Sequence, residues 1–234
     1  KVTRNISGKR ILITGGARRI GAEITRLLAQ SGAEMIIHCN NSTAEAQNLA
    51  ESLPGAPQIV QMRFAGDPEI GAKKLLQQCG RVDVLVNNAS AYRNASDEEL
   101  WAVNFLWPEK IMACFAIDCQ KRNGIIINML DAMTLEGNMH SEYEKSKYAL
   151  AQKTLEYALK FAPEIRVNGV APGPSIPPDD LARLKMRKTL PLIPLHKAVA
   201  PADIACAVKF LIENDSATGS IIPIDGGMRL TKCV

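Results

Sequence analysis

The sequence predicts an α/β fold in one domain, a doubly wound parallel sheet with helices on both faces. Short aliphatic runs of strand length recur along the chain, separated by stretches of helical period, the rhythm of strands joined by crossover helices. The chain is 47% hydrophobic but only 5% aromatic, which suits an aliphatic sheet covered on two sides. A glycine-bearing turn, Thr14-Gly15-Gly16-Ala17-Arg18-Arg19-Ile20-Gly21, joins the first aliphatic run to the first helical one. The 234 residues suit a single domain, 1–234, and no linker composition or internal repeat divides them.

Ile11-Leu12-Ile13 is the first strand, and beyond the turn Ile20, Ile24, Leu27 and Leu28 keep helical spacing up to Gly32. Backbone N–H groups at a helix start bind an anion without any side chain, and glycines let a pyrophosphate approach closely. Gly15, Gly21 and Ile20 are therefore candidate dinucleotide contacts; the alternative is that Gly15, Gly16 and Gly21 are ordinary turn and packing glycines. Met35-Ile36-Ile37-His38 is the second strand, and the ribose of an adenosine belongs at its end. An acid there would accept from a free 2′-hydroxyl and repel a 2′-phosphate. The sequence instead reads His38-Cys39-Asn40-Asn41-Ser42, with Arg18 available from the turn, which predicts NADPH over NADH. The same Asn40-Asn41-Ser42 also suits a helix cap ahead of Ala44-Glu45-Ala46.

Ile59-Val60-Gln61-Met62 and Val82-Asp83-Val84-Leu85-Val86 are strands three and four, the latter running into Asn87-Asn88-Ala89-Ser90. Ligands of a parallel sheet sit beyond the carboxyl ends of its strands, which makes Asn88 and Ser90 candidates. Asn87 reads instead as an amide tying neighbouring strands. Trp101 to about Cys119 is largely helical, with Asn104 early in it. Strand five, Ile125-Ile126-Ile127-Asn128, ends in Met129-Leu130-Asp131-Ala132-Met133, which puts the Asp131 carboxylate at the same rim. A lone aspartate there also serves as a turn or cap residue.

Ser141-Glu142-Tyr143-Glu144-Lys145-Ser146-Lys147 opens the next helix. Tyr143 and Lys147 are four residues apart and share one helix face, where an ammonium under the phenol would lower its pKa from about 10. Tyr143 is then a candidate general acid, although such a pair alone also reads as an exposed helix pair. Ile165-Arg166-Val167-Asn168-Gly169-Val170 is strand six, leading into Ala171-Pro172-Gly173-Pro174-Ser175. The proline-rich stretch 174–200 is long for a connection and points to a substrate-covering loop. Ala202 to about Asn214 is the last helix, and Ile221-Ile222-Pro223-Ile224 the last strand, turning at Gly226-Gly227.

A net charge of +4 with pI near 8.7 comes from scattered bases without a basic tract, which argues against nucleic acid and for mild steering of anionic ligands. The six cysteines, at 39, 79, 114, 119, 206 and 233, show no metal spacing and no C-x-x-C, so no metal site is expected. Reduced thiols, with no signal pattern and no apolar run of membrane-spanning length, point to a soluble cytoplasmic protein. His38, His140 and His196 are read as structural or surface residues.

Thr14 to Gly21, Asn87-Asn88-Ala89, Asn104, Tyr143 with Lys147, Pro172-Gly173 and Asp225-Gly226-Gly227 occur in an order that resembles the short-chain dehydrogenase/reductase family over almost the whole chain. The resemblance implies a Rossmann-like fold, a nicotinamide cofactor and a homotetramer with paired long helices. Two departures narrow it: Arg19 stands where the family has a third glycine, and Asp131 replaces the serine that precedes the tyrosine. Both resemble the pteridine reductase branch, with its basic pair at the turn and an Asp-Ala-Met like Asp131-Ala132-Met133; Asn88-Ala89-Ser90-Ala91-Tyr92 is similar to that branch as well.

By that resemblance NADPH delivers hydride to a dihydrobiopterin, dihydromonapterin or dihydrofolate-like ring, and Tyr143, assisted by Asp131, supplies the proton. Lys147 holds the nicotinamide ribose and lowers the tyrosine pKa, while Asn104 carries a water linking Lys147 to solvent. Arg19 reaches the cofactor phosphate or the pterin. Ser90 and Tyr92 line a sandwich of pterin on nicotinamide, Met133 stands with Asp131 on the pterin side, and Ala89, Pro172, Gly173 and Ser175 face the cofactor. His38, Asn41 and Ser42 lie beside the adenosine ribose, and antifolates are expected inhibitors. The family arginine is replaced by Asn41, which leaves Arg18 and Ser42 to hold the 2′-phosphate. Arg63-Phe64 stands where the family offers an aspartate to adenine, and only eleven residues separate Tyr92 from Asn104. Two other readings stay open, a reductase of a ketone or 3-oxoacyl substrate and a non-catalytic NADPH-binding sensor.

Overall fold

A computed structural model of the chain describes residues 6–92, 95–119, 123–135, 137, 139–176 and 180–232. Seven strands, β1 (Arg10–Thr14), β2 (Glu34–Cys39), β3 (Gln58–Gln61), β4 (Val84–Asn87), β5 (Gly124–Met129), β6 (Ile165–Pro172) and β7 (Ile221–Ile224), pair in parallel throughout. Their order is β3-β2-β1-β4-β5-β6-β7. The chain winds outward from β1 to β3 and then returns to lay β4 on the other side of β1. That reversal opens a crevice beyond the carboxyl ends of β1 and β4.

The helices are α1 (Arg19–Gln30), α2 (Thr43–Glu51), α3 (Pro68–Cys79), α4 (Asp97–Trp101), α5 (Trp107–Asp118), α6 (Glu142–Lys160), α7 (Asp180–Thr189) and α8 (Pro201–Glu213). Strand alternation divides the core. Leu12, Ile36, Leu85 and Ile126 face α3, α5 and α6, whereas Ile11, Ile13, Val84, Val86 and Ile127 face α1 and α8. Ala46 and Leu49 of α2 close the edge over Ile37 and Cys39. Strand four starts at Val84 and not at Val82; just before it the Asp83 carboxylate accepts the Arg10 N–H at 3.0 Å and Arg81 Nε–H at 2.9 Å.

Two expectations are corrected. The stretch 174–200 is not a plain loop, since it carries α7 and a 3-10 turn at Leu190–Leu192. In the sequence the run 179–190 between its prolines is itself free of proline, so nothing in it forbids a helix. An apolar run of spanning length also exists: Asp97–Asp118 is 22 residues long with a window of mean hydropathy 1.2. Trp107, Ile111, Met112 and Phe115 from this run are buried in the core against α3 and α6, as a core helix requires. Between α4 and α5 the run is π-helical at Ala102–Leu106, the turn that carries Asn104. The five described cysteines form no disulfide; Cys233 lies outside the described residues.

Candidate active site

The β1–α1 turn is held by the end of β4. Asn88 Nδ2 donates to Thr14 O at 3.0 Å and Gly15 O at 2.9 Å, and Thr14 Oγ1 accepts the N–H groups of Asn88 and Ala89, each at 3.0 Å. A Cβ at Gly21 would lie 2.2 Å from Gly15 O, and one at Gly15 would lie 3.0 Å from Ala89 Cα, where φ is already +62°. The lack of side chains at these two positions is therefore a packing requirement and also what leaves room for a ligand. Helix α1 begins without a side-chain cap and with no acid in its first turn. Its orphan N–H groups and positive pole thus meet the cavity lined by Gly15, Arg18, Arg19, Ile20 and Gly21. This cradle fits the pyrophosphate of a dinucleotide, the group the sequence calls for.

His38 lines the cavity where the ribose contact was expected, and its ring also braces the turn. It is 2% exposed; its Nδ1 accepts the Gly15 N–H at 3.3 Å and its Nε2–H donates to Met62 O at 2.9 Å. Burial lowers its pKa to about 4, so the ring is neutral. The ring stacks on Phe64 at 4.5 Å, and Phe64 stacks on Trp107 at 4.5 Å. Asn41 is exposed and off the cavity wall, where Asn40 stands in its place; the Asn40 carbonyl accepts from Gln61 Nε2 at 3.1 Å. Ser42 lines the cavity and is the N-cap residue of α2, yet its side chain makes no capping bond. Arg18 pairs with Glu45 at 3.6 Å on the exposed surface.

At the other end, Asp131 fulfils both readings of a rim aspartate. Its Oδ1 caps the 3-10 turn Ala132–Thr134 by accepting the Met133 N–H at 2.9 Å, and its Oδ2 accepts the Tyr143 hydroxyl at 3.1 Å. A capping box of Ser141 and Glu144 sets the start of α6 and hence the height of Tyr143 at the rim. The expected pairing of Lys147 with the phenol is corrected. Lys147 is buried and donates to Met129 O at 3.0 Å, the last carbonyl of β5. Burial and then the Asp131 carboxylate push the Tyr143 pKa well above its ordinary value, the opposite of the expected direction. Burial also raises Asp131 against the bonds it accepts, and lowers Lys147 to about 8.

Tyr92, 49% exposed, meets the Tyr143 ring edge-on at 4.7 Å. Asn104 is fully buried, off the cavity wall, and among the described residues its amide bonds to Ser90, Ala91 and Ser146 and not directly to Lys147. Its Oδ1 accepts from Ser90 Oγ at 3.0 Å and the Ala91 N–H at 2.9 Å, and its Nδ2 donates to Ala91 O at 3.0 Å and Ser146 Oγ at 3.2 Å. It positions the loop after β4. Met133 contributes its main-chain N–H to Asp131, and its side chain is off the cavity wall. Asn87 Nδ2 donates to Asn128 Oδ1 at 2.8 Å, tying β4 to β5.

One cavity of about 700 Å³ joins the two ends, with Ala89, Ser90, Pro172, Gly173 and Ser175 also on its wall. Arg19 crosses its mouth to donate to the carbonyl of Ile176. The wall further includes Arg63, Phe64, Glu99 and Val103, which sequence reasoning did not name as site residues. Arg63 and Phe64 carried a signal, the departure from a family position; Glu99 and Val103 carried none, since only the packing of α4 and of the π-helical turn after it brings them in. Among the described residues no three His, Cys, Asp or Glu side chains gather as metal ligands.

A crevice with an anion cradle at one end and a protonated phenol at the other is that of a dinucleotide-using oxidoreductase. A family model described as enoyl-(acyl carrier protein) reductase matches residues 15–229, and the chain belongs to the short-chain dehydrogenase/reductase family. It is 34% identical to a 3-oxoacyl-(acyl-carrier-protein) reductase of Thermotoga maritima, over 95% of this chain and 98% of that protein. It is 28% identical to pteridine reductase 1 of Leishmania tarentolae, over 94% of this chain and 96% of that one. The crystal structure of FolM alternative dihydrofolate reductase 1 from Brucella canis, complexed with NADP, superposes with a TM-score of 0.82 at 33% identity, covering 96% of each chain.

Proposed function

We propose that the protein is an NADPH-dependent pteridine reductase, acting on a dihydrobiopterin, dihydromonapterin or dihydrofolate-like ring. The observation that carries this reading is the carboxylate of Asp131, 3.1 Å from the Tyr143 hydroxyl in the cavity. A serine hydroxyl at that place suits a carbonyl oxygen, whereas a carboxyl group pairs with an amino-pyrimidine edge or relays a proton to a ring nitrogen. The likeness to pteridine reductase 1 and to FolM supports the same reading.

Bound NADPH supplies the hydride, and each turnover adds that hydride and one proton to the dihydropterin, giving a tetrahydropterin and NADP+. The backbone of Gly15 to Gly21 holds the pyrophosphate. Tyr143, whose pKa burial and Asp131 keep high, stays protonated near neutrality and donates the proton. Asp131 orients the phenol and the pterin, Lys147 holds the nicotinamide ribose, and Tyr92 stacks on the pterin. Arg19 and Ser90 border the ring. The protein works in the cytoplasm as a homotetramer, and antifolates compete for its pterin site.

The T. maritima relative favours a second reading, reduction of a 3-oxoacyl substrate on the same scaffold. Following NADPH oxidation with a dihydropterin and with an acetoacetyl thioester separates the two; activity confined to the thioester overturns the pterin reading. Asp131→Ser is expected to move the ratio of kcat/KM values toward the carbonyl substrate, and an unchanged ratio counts against the role given to the carboxyl group.

A further inference from the structure

We propose that Arg63, just beyond β3, is the residue that selects a 2′-phosphorylated cofactor, in place of Arg18 and the end of β2; this rests on the NADPH reading above. The end of β2 offers no cation. His38 is buried with both ring nitrogens occupied, and Cys39, Asn40, Asn41 and Ser42 are uncharged. Arg18 lies on the cavity wall, but its guanidinium is 3.6 Å from the Glu45 carboxylate, which offsets its charge.

Arg63 lines the same cavity beside Asn40, Ser42 and Phe64. Its guanidinium makes no hydrogen bond or ion pair among the described residues, and Glu99, the acid that α4 brings to this wall, is not within bonding distance. The backbone that carries it is anchored on both sides. Met62 N–H donates to Cys39 O at 3.0 Å, and Met62 O accepts from His38 at 2.9 Å. Phe64 is clamped between the His38 and Trp107 rings. An arginine on a fixed stem, facing a crevice and without a protein partner, is built to meet an anion from a ligand. The uncommitted Ser42 hydroxyl at the start of α2 supplies a second donor at the same edge.

The test is direct titration of the full chain with NADPH, NADH, 2′,5′-ADP and 5′-AMP, in wild type, Arg63→Met and Arg18→Met. Arg63→Met is expected to weaken NADPH and 2′,5′-ADP by roughly 10- to 100-fold, as for loss of a charged hydrogen bond. NADH and 5′-AMP should change by less than about threefold, which also controls for folding, and Arg18→Met should weaken NADPH by less than Arg63→Met does. The gap between NADPH and NADH should narrow as salt rises, since the guanidinium is exposed. Equal loss of NADPH and NADH in Arg63→Met would mean that the arginine stacks on adenine, and overturns the proposal. So does a larger loss in Arg18→Met. Wild-type protein that holds NADH as tightly as NADPH overturns the NADPH reading itself. No pterin is present in the titration, so failure of the pterin reading shows only in the oxidation assay.

Discussion

At the glycine turn the cavity is shaped by main chain, whereas at the β5 rim it is shaped by side chains. The turn has no room for a Cβ at Gly21, and the imidazole that braces it, His38, is held neutral by burial. The rim has ordinary backbone but gathers a phenol, a carboxyl group and an ammonium whose pKa values are all moved by burial. A site that only holds a charged ligand can rely on fixed N–H groups, while a site that moves a proton needs a group able to give it up. The turn should therefore fail through shape and the rim through chemistry.

The sharpest test of that division is Tyr143→Phe, which removes the proton donor and leaves the surface. The reductase rate should fall by about 10²- to 10⁴-fold, the usual contribution of general acid catalysis. NADPH affinity, read by titration, should stay nearly constant; a large loss of affinity would show that the rim also serves binding.

Next in size is the pH response of the turn. The folded pKa of His38, about 4, lies below its ordinary 6.5, so protonation favours the unfolded chain. Its contribution is complete above pH 6.5 and is lost as pH falls toward 4, by about 3 kcal/mol in all. Denaturant unfolding across that window should show the slope, and His38→Gln should flatten it.

Gly21→Ala places a methyl group against Gly15 O and Asn88 Nδ2. The expected cost is about 1–3 kcal/mol of stability, as for overpacking, together with weakened NADPH binding and an unaltered pH profile of kcat. An altered profile would blur the distinction between the two ends. The smallest effect is expected of Ser141→Ala, which breaks the capping box that sets the height of Tyr143. It should cost about 1 kcal/mol in thermal unfolding and lower kcat more than it raises the NADPH dissociation constant.

All seven strands were legible because burial on both sheet faces leaves aliphatic runs that need no tertiary information to find. The turn, the Ser141 start of α6 and the place of Asp131 at a strand end were legible for the same local reason. Helix α7 was hidden by the prolines on either side of it. The three-residue run Met62-Arg63-Phe64 showed a departure but not its use, since the rings that clamp it come from β2 and α5.

The sequence by itself determined the succession of the seven strands, the glycine cradle, and the choice of tyrosine, lysine and aspartate for one rim, because each depends on spacing along the chain. Only the tertiary structure decided that Lys147 turns to the Met129 carbonyl, that the Tyr143 pKa moves up, and that His38 braces while Arg63 faces the crevice. Those outcomes depend on which groups lose water and which partner reaches them first, and desolvation is a property of the packed chain, not of neighbours in sequence.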